Sequence, residues 1–169
     1  MPLVDMPLAE LEKYQGRNPK PANFDDFWND SVSEMLALPD QIELTPSSFQ
    51  APFAECFELR FTGVGGSRIF AKVARPKGAK NCPALLKFHG YSANSGDWAS
   101  LLSYAARGYV VAALDCRGQG GKSEDKTGYG GTTLRGHIVR GLDGDPKDMY
   151  FRNVFLDTAQ LAKIVAGFD

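Results

Sequence analysis

The sequence predicts an α/β fold: a mostly parallel sheet with an antiparallel N-terminal hairpin and flanking helices. Three observations predict it. Two apolar runs, Ala84-Leu85-Leu86-Lys87-Phe88 and Tyr109-Val110-Val111-Ala112-Ala113-Leu114, each end in a polar, glycine-hinged turn. An amphipathic segment from Trp98 to Arg107 separates them, which is the pattern of a βαβ unit with parallel neighbouring strands. Upstream, residues 55–62 and 68–74 alternate apolar and polar, as the strands of a half-buried hairpin do. Downstream, residues 150–165 carry apolar side chains at helical spacing.

Taken in order, Pro7 opens a short helical segment to Tyr14, with Leu8 and Leu11 three apart, expected to pack onto the domain. After the Asn18-Pro19-Lys20-Pro21 spacer, Asn23 or Asp25 caps a second helix in which Phe24, Phe27 or Trp28, Val32 and Met35 or Leu36 recur on one face. Pro39 stops it, so residues 1–40 read as a helical extension on one domain spanning 1–169. In the hairpin, Phe57, Leu59 and Phe61 face one way and Cys56, Glu58 and Arg60 the other, with the turn at Gly63-Val64-Gly65-Gly66-Ser67 and Pro76 as the end. The run from Ala84 reads as a strand buried on both faces. Gly90 at its tip lets the backbone fold tightly and a ligand come close to neighbouring N–H groups. Asp97 caps the helix that follows and Gly108 closes it. Lys122 to Lys147 is too long for a simple connection, and loops of that length in compact domains are mostly functional or disordered. The last helix presents Phe151, Phe155 or Val154, Thr158, Leu161 or Ala162, and Val165 on one side.

Composition narrows the function classes. With 169 residues, 43% hydrophobic and 23% charged, the chain fits one domain with a real core. Nineteen Lys and Arg against 20 Asp and Glu leave a net charge of -1, which argues against nucleic acid or an anionic membrane as partner. No apolar stretch approaches a membrane span, and the N-terminus lacks the marks of a signal peptide, so a cytoplasmic protein is expected, or one whose signal was removed before this numbering began. Cys56, Cys82 and Cys116 are odd in number and widely spaced, which reads as small buried hydrophobes.

Ligands of open α/β sheets sit beyond the carboxyl ends of parallel strands. Those ends here carry His89-Gly90-Tyr91 and Arg117-Gly118-Gln119-Gly120. With the early Phe24-Asp25-Asp26-Phe27-Trp28, these motifs resemble the acetyl xylan esterase / cephalosporin C deacetylase family (carbohydrate esterase family 7) of α/β-hydrolases. The resemblance runs from about Pro7 to the last residue and covers the first half of such an enzyme. It implies a serine esterase that removes O-acetyl groups from xylo-oligosaccharides or cephalosporin C through an acetyl-serine, without metal or cofactor. It also implies a homo-oligomer, a ring-like hexamer. Tyr91 then supplies a backbone N–H to the oxyanion hole and its ring lines the acyl pocket. His89, Gly90, Arg117, Gly118, Gln119 and Gly120 form the structural motif beside the site, with His89 expected to brace the loop by bonding backbone.

No G-x-S-x-G occurs in the chain. The reading is therefore an esterase truncated before its nucleophile and inactive alone, with a non-catalytic binding or assembly module as the alternative. Ser92, Asp115 and His137 stand in the chain order of a triad, but Asn94-Ser95-Gly96 delays the helix that an elbow serine should open. Gly118-Gln119-Gly120-Gly121-Lys122-Ser123 lacks the first glycine of a phosphate loop, which is Cys116 here. The acidic run from Asp143 to Asp148 lacks calcium-loop spacing and reads as a solvated loop. His137 has no partner that sequence identifies.

Overall fold

The computed structural model describes residues 5–127 and 139–168. His137 lies outside the described residues. The elements run α1 (Leu8–Leu11), α2 (Phe24–Ala37), β1 (Glu43–Pro46), β2 (Ala54–Thr62), β3 (Arg68–Pro76), β4 (Ala84–Lys87), α3 (Trp98–Ala105), β5 (Val110–Leu114) and α4 (Tyr150–Ala166).

The five strands form one sheet in the order β1-β2-β3-β5-β4. The hairpin register pairs Leu59 with Ala71 and Phe61 with Ile69, and β4 runs parallel to β5 with Leu85 opposite Val111. The α/β class and the βαβ unit are as the sequence predicts. The expectation of a mostly parallel sheet is corrected, because β4·β5 is the one parallel pair among the described strands. β1·β2, β2·β3 and β3·β5 are antiparallel. Only the helical crossover through α3 allows parallel pairing. β1 was not foreseen; Glu43 to Pro46 are all exposed and carry no alternation.

Period-2 alternation sorts the core onto two faces. Val110, Ala112 and Leu114 of β5 join Leu59, Phe61, Ile69, Ala71 and Val73 beneath Leu161, Ile164 and Val165 of α4. Val111 and Ala113 join Cys56 and Ala74 beneath Leu101 and Ala105 of α3. The buried central strand is thus β5. β4, expected to be covered on both faces, is half-exposed and stands at the sheet edge, because β5 is its one hydrogen-bonded neighbour among the described strands.

Asp97 caps α3 by accepting a hydrogen bond from the Ser100 N–H at 3.0 Å. α1 buries none of its side chains, with Leu8 at 71% exposure, although packing was expected there. Four residues give too short an apolar stripe to pay for docking. α2 meets α4 instead, where Met35 packs with Leu156 and Val64, and Arg152 donates to the Ser31 hydroxyl at 2.9 Å. Its buried face runs through Ser31 and Met35, while Phe24, Val32 and Leu36 stay exposed.

α4 departs most from the amphipathic reading. Phe151 and Phe155, placed on its buried side by apolar spacing, are 43% and 52% exposed. Arg152, Asn153, Asp157 and Gln160 are buried in their place. Apart from Gln160 Oε1, the polar groups on that face find partners, so most of the desolvation is offset by hydrogen bonds that apolar periodicity does not register. Among the described residues no helix is long and apolar enough to cross a membrane.

The open edge of β4 and the exposed Phe88, Phe151 and Phe155 predict self-association of the isolated chain. Sedimentation velocity should show a weight-average mass rising with concentration, and Phe155→Glu should reduce it. A concentration-independent monomer contradicts the expectation.

Candidate active site

The C-terminal tips of β4 and β5 lie side by side and are stitched together by side chains reaching for backbone. The Cys116 N–H donates to His89 Nε2 at 2.8 Å. Because a peptide N–H only donates, the imidazole is neutral and carries its proton on Nδ1, which lies 2.7 Å from the Gly90 carbonyl oxygen and donates to it. Both ring nitrogens of His89 therefore engage backbone. The Ser92 N–H donates to Gln119 Oε1 at 2.7 Å, the Asn94 amide donates to the Gly120 carbonyl at 3.3 Å, and the Ser95 N–H donates to Asp115 Oδ1 at 2.6 Å.

Asp115 organises the loop after β5. Its buried carboxylate accepts from Ser95 on one side and from the Lys122 N–H at 2.7 Å on the other. The Ser123 hydroxyl donates to the Asp115 carbonyl at 2.6 Å and accepts from the Phe70 N–H at 2.8 Å. Gly121-Lys122-Ser123 is thus folded back onto β3 and β5. Ser92 and Asp115, two members of the formal triad, face different work: Asp115 holds peptide N–H groups, and Ser92 sits at φ 63° with its N–H on Gln119.

Arg117 is fully buried. It donates from Nε and Nη2 to the two carboxylate oxygens of Asp157 at 2.7 and 2.6 Å, and from Nη1 to the Val64 carbonyl at 3.1 Å. Asp125 stands 4.0 Å from Nη1 and also pairs with Arg140. Burial alone would lower the guanidinium pKa, but the Asp157 carboxylate against it, with Asp125 beyond, raises it above its ordinary value. Tyr150, at the start of α4, donates its hydroxyl to the Arg117 carbonyl at 2.9 Å and accepts from Gln119 Nε2 at 2.8 Å. Sequence reading misses Asp157 and Tyr150, and names Asp115 only as a formal triad member rather than as the brace of this loop. The available signal is an acid at Asp157, four residues before Leu161 on the stripe that Leu161 and Ile164 continue.

Between the strand tips and α4 opens a cleft of about 360 Å³ lined by Phe88, His89, Gly90, Tyr91, Cys116, Gln119, Tyr150, Phe151, Val154, Phe155 and Thr158. Tyr91, His89, Gly90 and Gln119 thus meet at one opening. Arg117 does not reach it and lies behind in the interior, while Gly118 and Gly120 belong to the turn after β5 and do not line it. The cleft walls are aromatic: Phe151 stands 5.5 Å from Tyr150 and 5.8 Å from Phe155 between ring centroids. Burial, then the Asp157 and Asp115 carboxylates, push the Cys116 thiol up to about 11, so it remains an unreactive thiol at neutral pH.

The glycines of the motif differ in what they require. A Cβ on Gly120 would stand 2.6 Å from the Ser92 carbonyl oxygen, so this position brings the two loops into contact only as glycine. Gly90, expected to be needed for a tight fold, has no positive φ, and a Cβ there meets nothing within 4 Å. Its missing side chain opens toward space rather than toward packed atoms. Gly120→Ala should therefore lower unfolding free energy by roughly 1–3 kcal/mol, as overpacking does, and Gly90→Ala should leave it within about 0.5 kcal/mol. Urea unfolding of both variants checks this, and equal losses would contradict the assigned contact.

Comparison with known proteins places this geometry. A family model for acetyl xylan esterase (AXE1) matches residues 1–169. Acetyl xylan esterase 1 from Thermoanaerobacterium sp. JW/SL YS485 is 55% identical over 97% of this chain and 52% of its own, with a TM-score of 0.91. The acetyl xylan esterase from Paenibacillus sp. R4 is 28% identical over 96% of this chain and 52% of its own, with a TM-score of 0.85. The chain spans about half the length of these two esterases.

Proposed function

The chain belongs to the acetyl xylan esterase family, and on that premise we propose that it forms the oxyanion-donor half of a carboxylic ester hydrolase acting on acetylated sugars. One observation carries the reading. Tyr91 and Gln119 converge on an apolar cleft at the carboxyl ends of the parallel pair β4·β5, where ligands of α/β sheets bind. The substrate class is O-acetylated xylo-oligosaccharide, with cephalosporin C as a second acetyl ester of the right leaving-group type. A cytoplasmic location and a homo-oligomeric, hexameric assembly complete the proposal.

The chemistry divides between two polypeptide halves. A serine hydroxyl attacks the acetyl carbonyl carbon while a histidine takes its proton, and the carbonyl π-bond electrons move to oxygen. The Tyr91 N–H donates to that oxyanion. Collapse expels the sugar alkoxide, which takes the proton back, and water repeats the sequence to release acetate. The apolar walls supplied by Phe88, Val154 and Phe151 accommodate the acetyl methyl and hold water away from the developing charge. Serine, acid and base fall to the half of the relatives that this chain does not cover, since no G-x-S-x-G occurs in it.

The test uses p-nitrophenyl acetate. This chain alone should give no turnover above buffer. Co-expression with the unmatched half of the Thermoanaerobacterium esterase should give turnover that Tyr91→Pro, which removes the N–H, cuts by roughly 10²–10³ and Tyr91→Ala, which keeps it, largely preserves. Turnover by the chain alone that Ser92→Ala abolishes would overturn the reading in favour of a triad within this chain.

A further inference from the structure

The backbone of Tyr91 is held from both sides by side chains, His89 of its own strand tip and Gln119 of the neighbouring one. A residue has two soft dihedrals, one toward each flanking peptide, and each peptide is a rigid plane. The plane before Tyr91 contains the Gly90 carbonyl and the Tyr91 N–H, which point in opposite directions. Its oxygen accepts from His89 Nδ1 at 2.7 Å and from the Ala93 N–H at 3.2 Å, so the direction of the Tyr91 N–H is set by bonds made at the other end of the plane. The plane after Tyr91 contains the Ser92 N–H, which Gln119 Oε1 accepts at 2.7 Å.

Neither anchor is loose. His89 is fixed at Nε2 by the Cys116 N–H, which also selects its tautomer. The Gln119 amide is fixed by the Tyr150 hydroxyl at 2.8 Å, and that hydroxyl by the Arg117 carbonyl at 2.9 Å. Ser92 itself stays in the left-handed region at φ 63°, a conformation unfavourable for a residue with a Cβ. An acceptor on its N–H offsets such a cost.

We propose that Gln119 and His89 are positioning residues that fix the two peptide planes flanking Tyr91, and so aim its N–H into the cleft before any substrate arrives. The proposal rests on the reading of Tyr91 as an oxyanion donor and deepens it. Donors aimed in advance stabilise a transition state without reorganising during the reaction. Gln119 does this without touching the reacting atoms, through Ser92 on one side and Tyr150 on the other. His89 does it through the Gly90 carbonyl.

The experiment uses the ¹⁵N-labelled full chain, with amide exchange at Ser92 and the amide shift of Tyr91 under titration with methylphosphonate, a tetrahedral oxyanion. Gln119→Leu should speed Ser92 exchange by about fivefold to tenfold, the worth of one hydrogen bond, and should weaken the Tyr91 response. Gln119→Glu keeps an acceptor oxygen for the Ser92 N–H but loses the donor to the Tyr150 hydroxyl, and should restore both in part. Val111 and Leu114 exchange in the core should not change. Should Gln119→Leu fail to fold, Tyr150→Phe frees the Gln119 amide and should speed Ser92 exchange to a lesser degree. Wild-type exchange and wild-type Tyr91 shifts in Gln119→Leu, or in Tyr150→Phe where it takes that variant's place, overturn the proposal. Absence of any methylphosphonate shift in the wild-type chain overturns the oxyanion reading instead, and the exchange rates then decide the positioning claim by themselves.

Discussion

The buried ion pair between Arg117 and Asp157 is the constraint on which the site depends. Arg117 stands just beyond the end of β5 and Asp157 lies midway along α4, so the pair joins the sheet to the helix that forms the far wall of the cleft. Two charges removed from water are tolerated only when geometry is good and remaining donors are satisfied. Both conditions hold: the pairing is bidentate, and the third guanidinium nitrogen donates to Val64. Arg140 and Asp125 extend the cluster, so two cations and two anions balance within the interior. With the Arg117 side chain fixed, its carbonyl is fixed as well, and from it the chain Tyr150, Gln119, Ser92 runs outward to the loop that carries Tyr91.

The fold class was legible because alternation and apolar runs are properties of single elements. Phe57, Leu59 and Phe61 share a face because strands repeat every two residues, and the Trp98–Arg107 segment between two apolar runs left a crossover as the simplest connection. What could not be read was cooperative. β1 has no pattern of its own and exists because β2 offers an edge to pair with. The buried face of α4 carries Arg152, Asp157 and Gln160, whose burial depends on Glu34, Arg117, Asp40 and Thr62 far away in sequence.

The site shows the same division. His89-Gly90-Tyr91 and Arg117-Gly118-Gln119-Gly120 can be singled out as strand-tip motifs, and the structure brings His89, Gly90, Tyr91 and Gln119 to one cleft. Their division of labour was not legible: Arg117 points inward, Gln119 bridges the tips, and Gly120 brings the loops into contact. The cleft wall from α4 is not legible either, because apolar spacing puts Phe151 and Phe155 on one side with Leu161 and Val165. The two esterases that match over 52% of their length carry about as much chain again.

The most direct measurement of the central claim is a double-mutant cycle on the ion pair, read by urea unfolding. Arg117→Met and Asp157→Leu singly should each cost about 3–5 kcal/mol, because each leaves a buried charge unpaired. The double variant should recover most of that loss, since the charges that remain, Arg140 and Asp125, are then still paired with each other. Single variants that unfold within about 1 kcal/mol of wild type, or costs that simply add in the double variant, would contradict the account.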